Sequence, residues 1–250
     1  MGMSETETQF DDRYLSDGFL KALWGDFALF LFTNPLDRQF WHGHEDIGGF
    51  ALYYKRSPFF IDTGRFSYAA AEGSWAEPCA HNAVLVDGMG PVTRRTGRYI
   101  KEYLKDCTAH LRIISEGIIE IQMPGYSRIT PGLGLLRRFQ MTRDGLTIED
   151  FLSGEGEHRV QTYFHFRAES CSVEGGKAEL RRKGALFLIS AEETDAVLQL
   201  DHHKPFSNLG WRCEEYGRRT PSYTIRHERR ARLPLASRYR IEVMQPPCAA

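Results

Sequence analysis

Apolar residues along this chain come in short runs, most of which alternate with polar residues or stop at a turn signal. Residues 27–32 read Phe-Ala-Leu-Phe-Leu-Phe and are followed by the breaker pair Asn34-Pro35. Residues 19–24 suit a strand or a short helix. Residues 51–54 and 59–61 are strand-like, and 83–86 form an apolar run that halts at Asp87-Gly88, a hairpin turn pair. The runs 108–114 and 117–123 face each other across Ser115-Glu116, and 135–142 and 146–152 flank Arg143-Asp144-Gly145. Residues 158–166, 171–174, 178–180, 185–189, 196–200, 222–227 and 233–243 continue the series. Many short strands at regular spacing predict an all-β fold, an antiparallel β-sandwich of many short strands. Residues 1–12 are expected to be a disordered tail and 13–250 a single domain. The Ala- and Gly-rich stretch 68–79 has no period and is expected to be a long loop beside the site.

A length of 250 residues suits one large all-β domain, and 42% hydrophobic residues supply a sizeable core. The net charge of -1 gives no case for nucleic acid or for a membrane surface. Basic pairs recur at Arg94-Arg95, Arg137-Arg138, Arg181-Arg182-Lys183, Arg218-Arg219 and Arg229-Arg230. They read as solvated strand ends or turns, some of them suited to an anionic polysaccharide. The five cysteines are an odd, widely spaced set without C-x-x-C, which argues against a complete disulfide framework. The acidic N-terminus has no signal-peptide pattern, and no run is long enough to span a bilayer. The expected location is cytoplasmic, or periplasmic if the chain is an excised domain.

The candidate chemistry is concentrated in residues 41–82, which hold three of the nine histidines with several acids between them. In His42-x-His44 both imidazoles share a face if the segment is extended. Asp62 closes the run Phe59-Phe60-Ile61, and His81 opens the run that ends at Val86. Polar groups at the ends of neighbouring strands can converge, and two imidazoles with a carboxylate suit zinc or a non-haem metal with open positions. Taken singly, each residue also has a plain reading as a turn or hydrogen-bonded group. Asp46 is a candidate to hold an imidazole, and Cys79 reads as a small packed thiol. His165 reads as a hydrogen-bonded histidine inside a sheet. His202-His203 reads as part of an exposed loop, and Tyr99 and Tyr103 as possible sugar contacts.

The blocks His42-x-His44-x-Asp46-x-Gly48-x-Phe50, Ile61-Asp62-x-Gly64-Arg65-x-x-Tyr68 and His81-Asn82-x-Val84-x-Val86-Asp87-Gly88 resemble the C-terminal β-sandwich domain of heparinase II/III-like polysaccharide lyases. The resemblance runs from about Asp17 to the end of the chain. It implies a Zn2+ site of His44, Asp62 and His81, and it places His42 in the substrate cleft. Tyr68 matches a substrate-contacting tyrosine of related alginate lyases, so His42 and Tyr68 are the candidate catalytic residues, and Arg65 and Asn82 are expected to bind substrate. The implied activity is β-elimination on a uronic-acid-containing polysaccharide, either a glycosaminoglycan or alginate. Family enzymes carry an α/α-toroid before the sandwich, and about forty residues precede His42 here. A helical toroid partner chain is therefore expected for turnover, and a homodimer is a further expectation. The alternatives are a non-catalytic glycan-binding module of the same fold and, last, a cupin-type metalloenzyme. The cupin spacing is not met, since Glu45 follows His44 directly.

Overall fold

The computed structural model describes residues 8–12, 15, 18–33, 44–67, 75–92, 109–193, 195–205 and 207–244. The N-terminal strands are β1 (Gln9–Asp11), β2 (Phe19–Trp24), β3 (Phe27–Phe32), β4 (Phe50–Tyr54), β5 (Ser57–Phe60) and β6 (Val84–Val86). Next come β7 (His110–Ser115), β8 (Ile118–Met123), β9 (Gly134–Thr142), β10 (Gly145–Ser153), β11 (Glu157–Phe166), β12 (Ser170–Glu174) and β13 (Lys177–Arg182). The last are β14 (Ala185–Ala191), β15 (Leu198–His202), β16 (Trp211–Glu215), β17 (Arg218–Pro221), β18 (Tyr223–Arg232) and β19 (Leu235–Met244). One sheet runs β1-β2-β3-β4-β5-β11-β18-β15, with β6 also on β11. The other runs β12-β13-β14-β19-β10-β9-β8-β7. The pairings between neighbours in sequence and across the sheets are antiparallel, as the alternating pattern requires.

The two sheets close on one core. Leu29, Leu52, Phe60 and Phe164 of the first sheet are fully buried, as are Ile121, Phe139, Ile148 and Ile241 of the second. Rings interlock across the gap: Phe50 meets Phe139 edge-on at 5.6 Å, and Phe59 stacks on Phe187 at 3.9 Å. Strand β11 is buried on both faces from Val160 to Phe166, unlike the half-buried strands beside it. Its outer face is covered by a small cluster of Leu85, Tyr163 and Leu209 with Cys79 against it. Both β5 and β6 pair with β11, so the loops leaving β5 and entering β6 meet over that face.

Several expectations are refined. Residues 19–24 form a strand, not a helix. The stretch expected as a disordered tail contains β1, whose residues pair with β2 from Gln9 opposite Leu23 to Asp11 opposite Lys21. The hairpin β16–β17 was not legible, because it is half-exposed and polar and has no alternating apolar face. Arg137 and Arg138 lie inside β9, not at its end.

Candidate functional site

His44 lies in the loop entering β4, Asp62 two residues past β5, and His81 between the 3-10 turn Pro78–Ala80 and β6. One ligand atom from each lies within 4.8 Å of the others. His81 is fully buried and its Nδ1 is 2.6 Å from Asp62 Oδ2. The His44 and His81 rings are 5.1 Å apart. Asp62 Oδ1 accepts the Gly64 N–H at 2.9 Å, which shapes the loop after β5. Gly64 is obligatory there: its φ is 72°, and a Cβ would sit 2.2 Å from the Cys213 carbonyl oxygen. Arg65 Nε–H donates to His44 Nε2 at 3.2 Å.

The three ligand-bearing loops are tied together by buried polar groups. Thr63 donates its hydroxyl to the Ala80 carbonyl at 2.8 Å. The Asn82 amide donates to the carbonyls of Phe50 (2.7 Å) and Ile61 (3.0 Å), and its Oδ1 accepts the His165 N–H at 2.6 Å. Arg137 reaches from the second sheet, and its Nη1 donates to the carbonyls of Gly48 (3.0 Å) and Asn82 (2.8 Å). Its Nε and Nη2 form a two-pronged pair with Asp150 at 2.6 and 2.9 Å. Tyr126 donates to the Val84 carbonyl at 2.6 Å.

The electrostatics follow from this packing. Burial alone would push the Asp62 pKa up, but the charge and hydrogen bond of His81, then the Gly64 N–H and His44, outweigh it. Asp62 is held well below the usual carboxylate range. Burial would lower the His81 pKa, but Asp62, then Asp46 and Glu45, raise it. His165 is different. Its Nε2–H donates to the Cys79 carbonyl (3.0 Å), and its Nδ1 accepts from the Thr224 hydroxyl (2.9 Å). Burial and the neighbouring His81 lower its pKa to about 4, which keeps it neutral.

The heparinase II/III-like, C-terminal family model matches residues 15–242. The chain belongs to this family. The heparin-sulfate lyase of Bacteroides stercoris is 31% identical over 87 residues, covering 30% of this chain and 13% of that protein. The heparan sulfate lyase of Pedobacter heparinus superposes with a TM-score of 0.68 at 16% identity, over 92% of this chain and 36% of that one. A heparinase III superposes at 0.68 and 13% identity, over 91% of this chain and 35% of that one. The chain spans about a third of the length of these lyases. A 4-alpha-glucanotransferase from Thermococcus litoralis shares the fold at a TM-score of 0.58 and 9% identity. At these identities the structural likeness shows the heparinase-type antiparallel fold.

Of the residues singled out in the sequence, His44, Asp62, His81 and Arg65 come together. His42, Tyr68, Tyr99 and Tyr103 lie outside the described residues, as does most of the 68–79 stretch. Asn82, expected to bind substrate, lies in the interior. It is 1% exposed, and its amide donates to two carbonyls and accepts one N–H, so it clasps the loops. Cys79 packs as a thiol 3.6 Å from the Asn208 amide. His202 ends β15 and stacks on Tyr223 at 4.2 Å. Arg137 was missed as a site residue. Its signal was present, because Leu135, Arg137 and Phe139 share one face of a strand.

Proposed function

We propose that this chain is the β-sandwich part of a polysaccharide lyase, and that His44, Asp62 and His81 hold a zinc ion beside its substrate cleft. The observation that carries the metal is the convergence of two imidazoles and a carboxylate within 4.8 Å. His81 tests the fit. Its Nδ1 is engaged by Asp62, while its Nε2 is buried and has no hydrogen-bond partner among the described residues. A bare buried polar atom is costly, and a cation reaching it would satisfy it. His44 accepts the Arg65 hydrogen bond at Nε2, so this nitrogen is unprotonated, and a metal would take over its lone pair from the Arg65 N–H. When bound, the ion would supply a fixed positive charge and link the three loops.

Family membership and the lyase relatives support an acidic polysaccharide as substrate and β-elimination as the reaction. A base removes the proton α to the uronate carboxylate, and its electron pair forms the new double bond. The bond to the β-oxygen breaks, and that oxygen takes a proton. Arg65, half-buried beside His44, is the cation at the site for the uronate carboxylate. On the sequence, His42 and Tyr68 are this chain's candidates for proton transfer.

Metal content by mass spectrometry tests the centre, using protein purified without a histidine tag. About one zinc per chain is expected, lost in both His44→Ala and Asp62→Ala. A metal-free parent protein would overturn the centre. Ultraviolet detection of unsaturated product from uronate polymers, with and without a toroid-bearing chain, tests the reaction. Glycan binding without product in either case would favour the non-catalytic module.

A further inference from the structure

Where β5, β11, β13 and β16 meet, three guanidinium groups gather: Arg167 just past β11, Arg182 at the end of β13, and Arg212 in β16. Two carboxylates reach them. Glu169 is 3.5 Å from Arg182, and Glu214 is 2.8 Å from Arg167 and 3.6 Å from Arg212. The exposures are lopsided. The Glu169 and Glu214 side chains are 54% and 57% exposed, whereas Arg182 and Arg212 are 13% exposed each. The positive charge is thus set inward and the negative charge outward, where water screens it. Burial, then the charge of Arg167, pushes the pKa values of Arg182 and Arg212 down.

The donors are also left unfilled. The Nε–H groups of Arg182 and Arg212 are buried and have no hydrogen-bond partner among the described residues. Arg182 Nη2 donates to Ser57 Oγ at 3.3 Å. Beside Arg182 lies a cavity of about 60 Å³ where Lys55, Ser57, Arg182 and Lys183 sit over Phe59 and Phe187, with Arg167 and Arg212 outside its lining. Such a space holds a few waters or one oxyanion group, and it is too small for a sugar ring. Guanidinium forks match the paired oxygens of a carboxylate or sulfate.

We propose that Arg167, Arg182 and Arg212 form a subsite for a sulfate or carboxylate group of an acidic glycan, sharing no residue with the His44, Asp62 and His81 set. The glycan as the source of that group rests on the lyase reading above. The subsite is coupled to the site by the backbone. The Cys213 N–H, next to Arg212, donates to the Thr63 carbonyl at 2.7 Å, adjacent to Asp62.

The test uses the full chain and the variants Arg182→Gln, Arg212→Gln and Arg212→Lys. Thermal unfolding is followed against inorganic sulfate at constant ionic strength, and binding of a heparin oligosaccharide is measured by calorimetry. Sulfate is expected to raise the parent's Tm and to do so far less in both Gln variants, with part of the response restored in the Lys variant. Without sulfate, the Gln variants should keep or exceed the parent's Tm, since one of three crowded cations is gone. Heparin affinity should fall about tenfold in each Gln variant, the loss of one charged contact. Equal sulfate responses in all proteins would be a general salt effect and would overturn the subsite. A Tm drop in the Gln variants with unchanged sulfate response would overturn it as well, making the cluster a structural network. A lost sulfate response with unchanged heparin binding would overturn the glycan assignment. His44→Ala should lose metal and keep the sulfate response, so failure of the metal centre and failure of the subsite are read separately.

Discussion

Arg137 and Arg138 are neighbours on β9 and enter opposite regions of the molecule. Arg137 points into the sandwich, is 1% exposed, and spends its donors on Asp150 and on the carbonyls of Gly48 and Asn82. Arg138 points into water. It joins a ladder in which Glu120, Glu149, Arg238 and Glu192 alternate in charge across neighbouring strands. Inside, desolvation makes each partner obligatory, so this arginine fixes the loops that carry His44 and His81. Outside, water screens each pair and the ladder is interchangeable. The same side chain is a site-positioning residue in one region and a solubilising rung in the other.

The comparison breaks most sharply at Arg137. Arg137→Met should destabilise the fold by about 3–5 kcal/mol in urea unfolding, because it strands the Asp150 charge and leaves two carbonyls without donors. Arg137→Met combined with Asp150→Leu should recover much of that loss, and a single-variant cost under about 1 kcal/mol would remove the distinction between the two faces.

His165 extends the interior side of the comparison to pH. Unfolded, it takes up a proton as pH falls through about 6.5. Folded, it stays neutral until about 4. The unfolded state therefore binds more protons in this window, and stability falls as pH falls. The slope from this group reaches at most about 1.4 kcal/mol per pH unit, for a total of about 3 kcal/mol. His165→Asn should flatten that part of the stability–pH curve, and an unchanged slope would show that another group carries it. At the exterior, Arg138→Ala is the smallest expected effect. It should cost under about 1 kcal/mol, and less still in high salt.

These faces were unequally legible in the sequence. A strand period of two is local, so β3, β8, β10 and β11 could be read from residue type alone. Arg137-Arg138 reads as a solvated pair when taken as a dipeptide. Asn82 beside His81 suits a surface or a hydrogen-bonded core group equally, and it closes three hydrogen bonds in the interior. Both placements share a cause: a polar residue's partners are carbonyls on distant segments, and sequence spacing does not encode them.

The sequence by itself determined the all-β architecture, the heparinase II/III-like family and the residue types that converge at Asp62 and His81. Alternation, turn pairs and the blocks around His44, Asp62 and His81 are properties of adjacent residues. Only the tertiary structure decided which polar groups are buried and with whom. It made Arg137 the strut behind the site and Asn82 its clasp. It also gathered Arg167, Arg182 and Arg212 from three separate stretches of the chain into one cluster. The physical reason is that sheet packing sets burial, and burial decides whether a charge is screened by water or must find its partner within the protein.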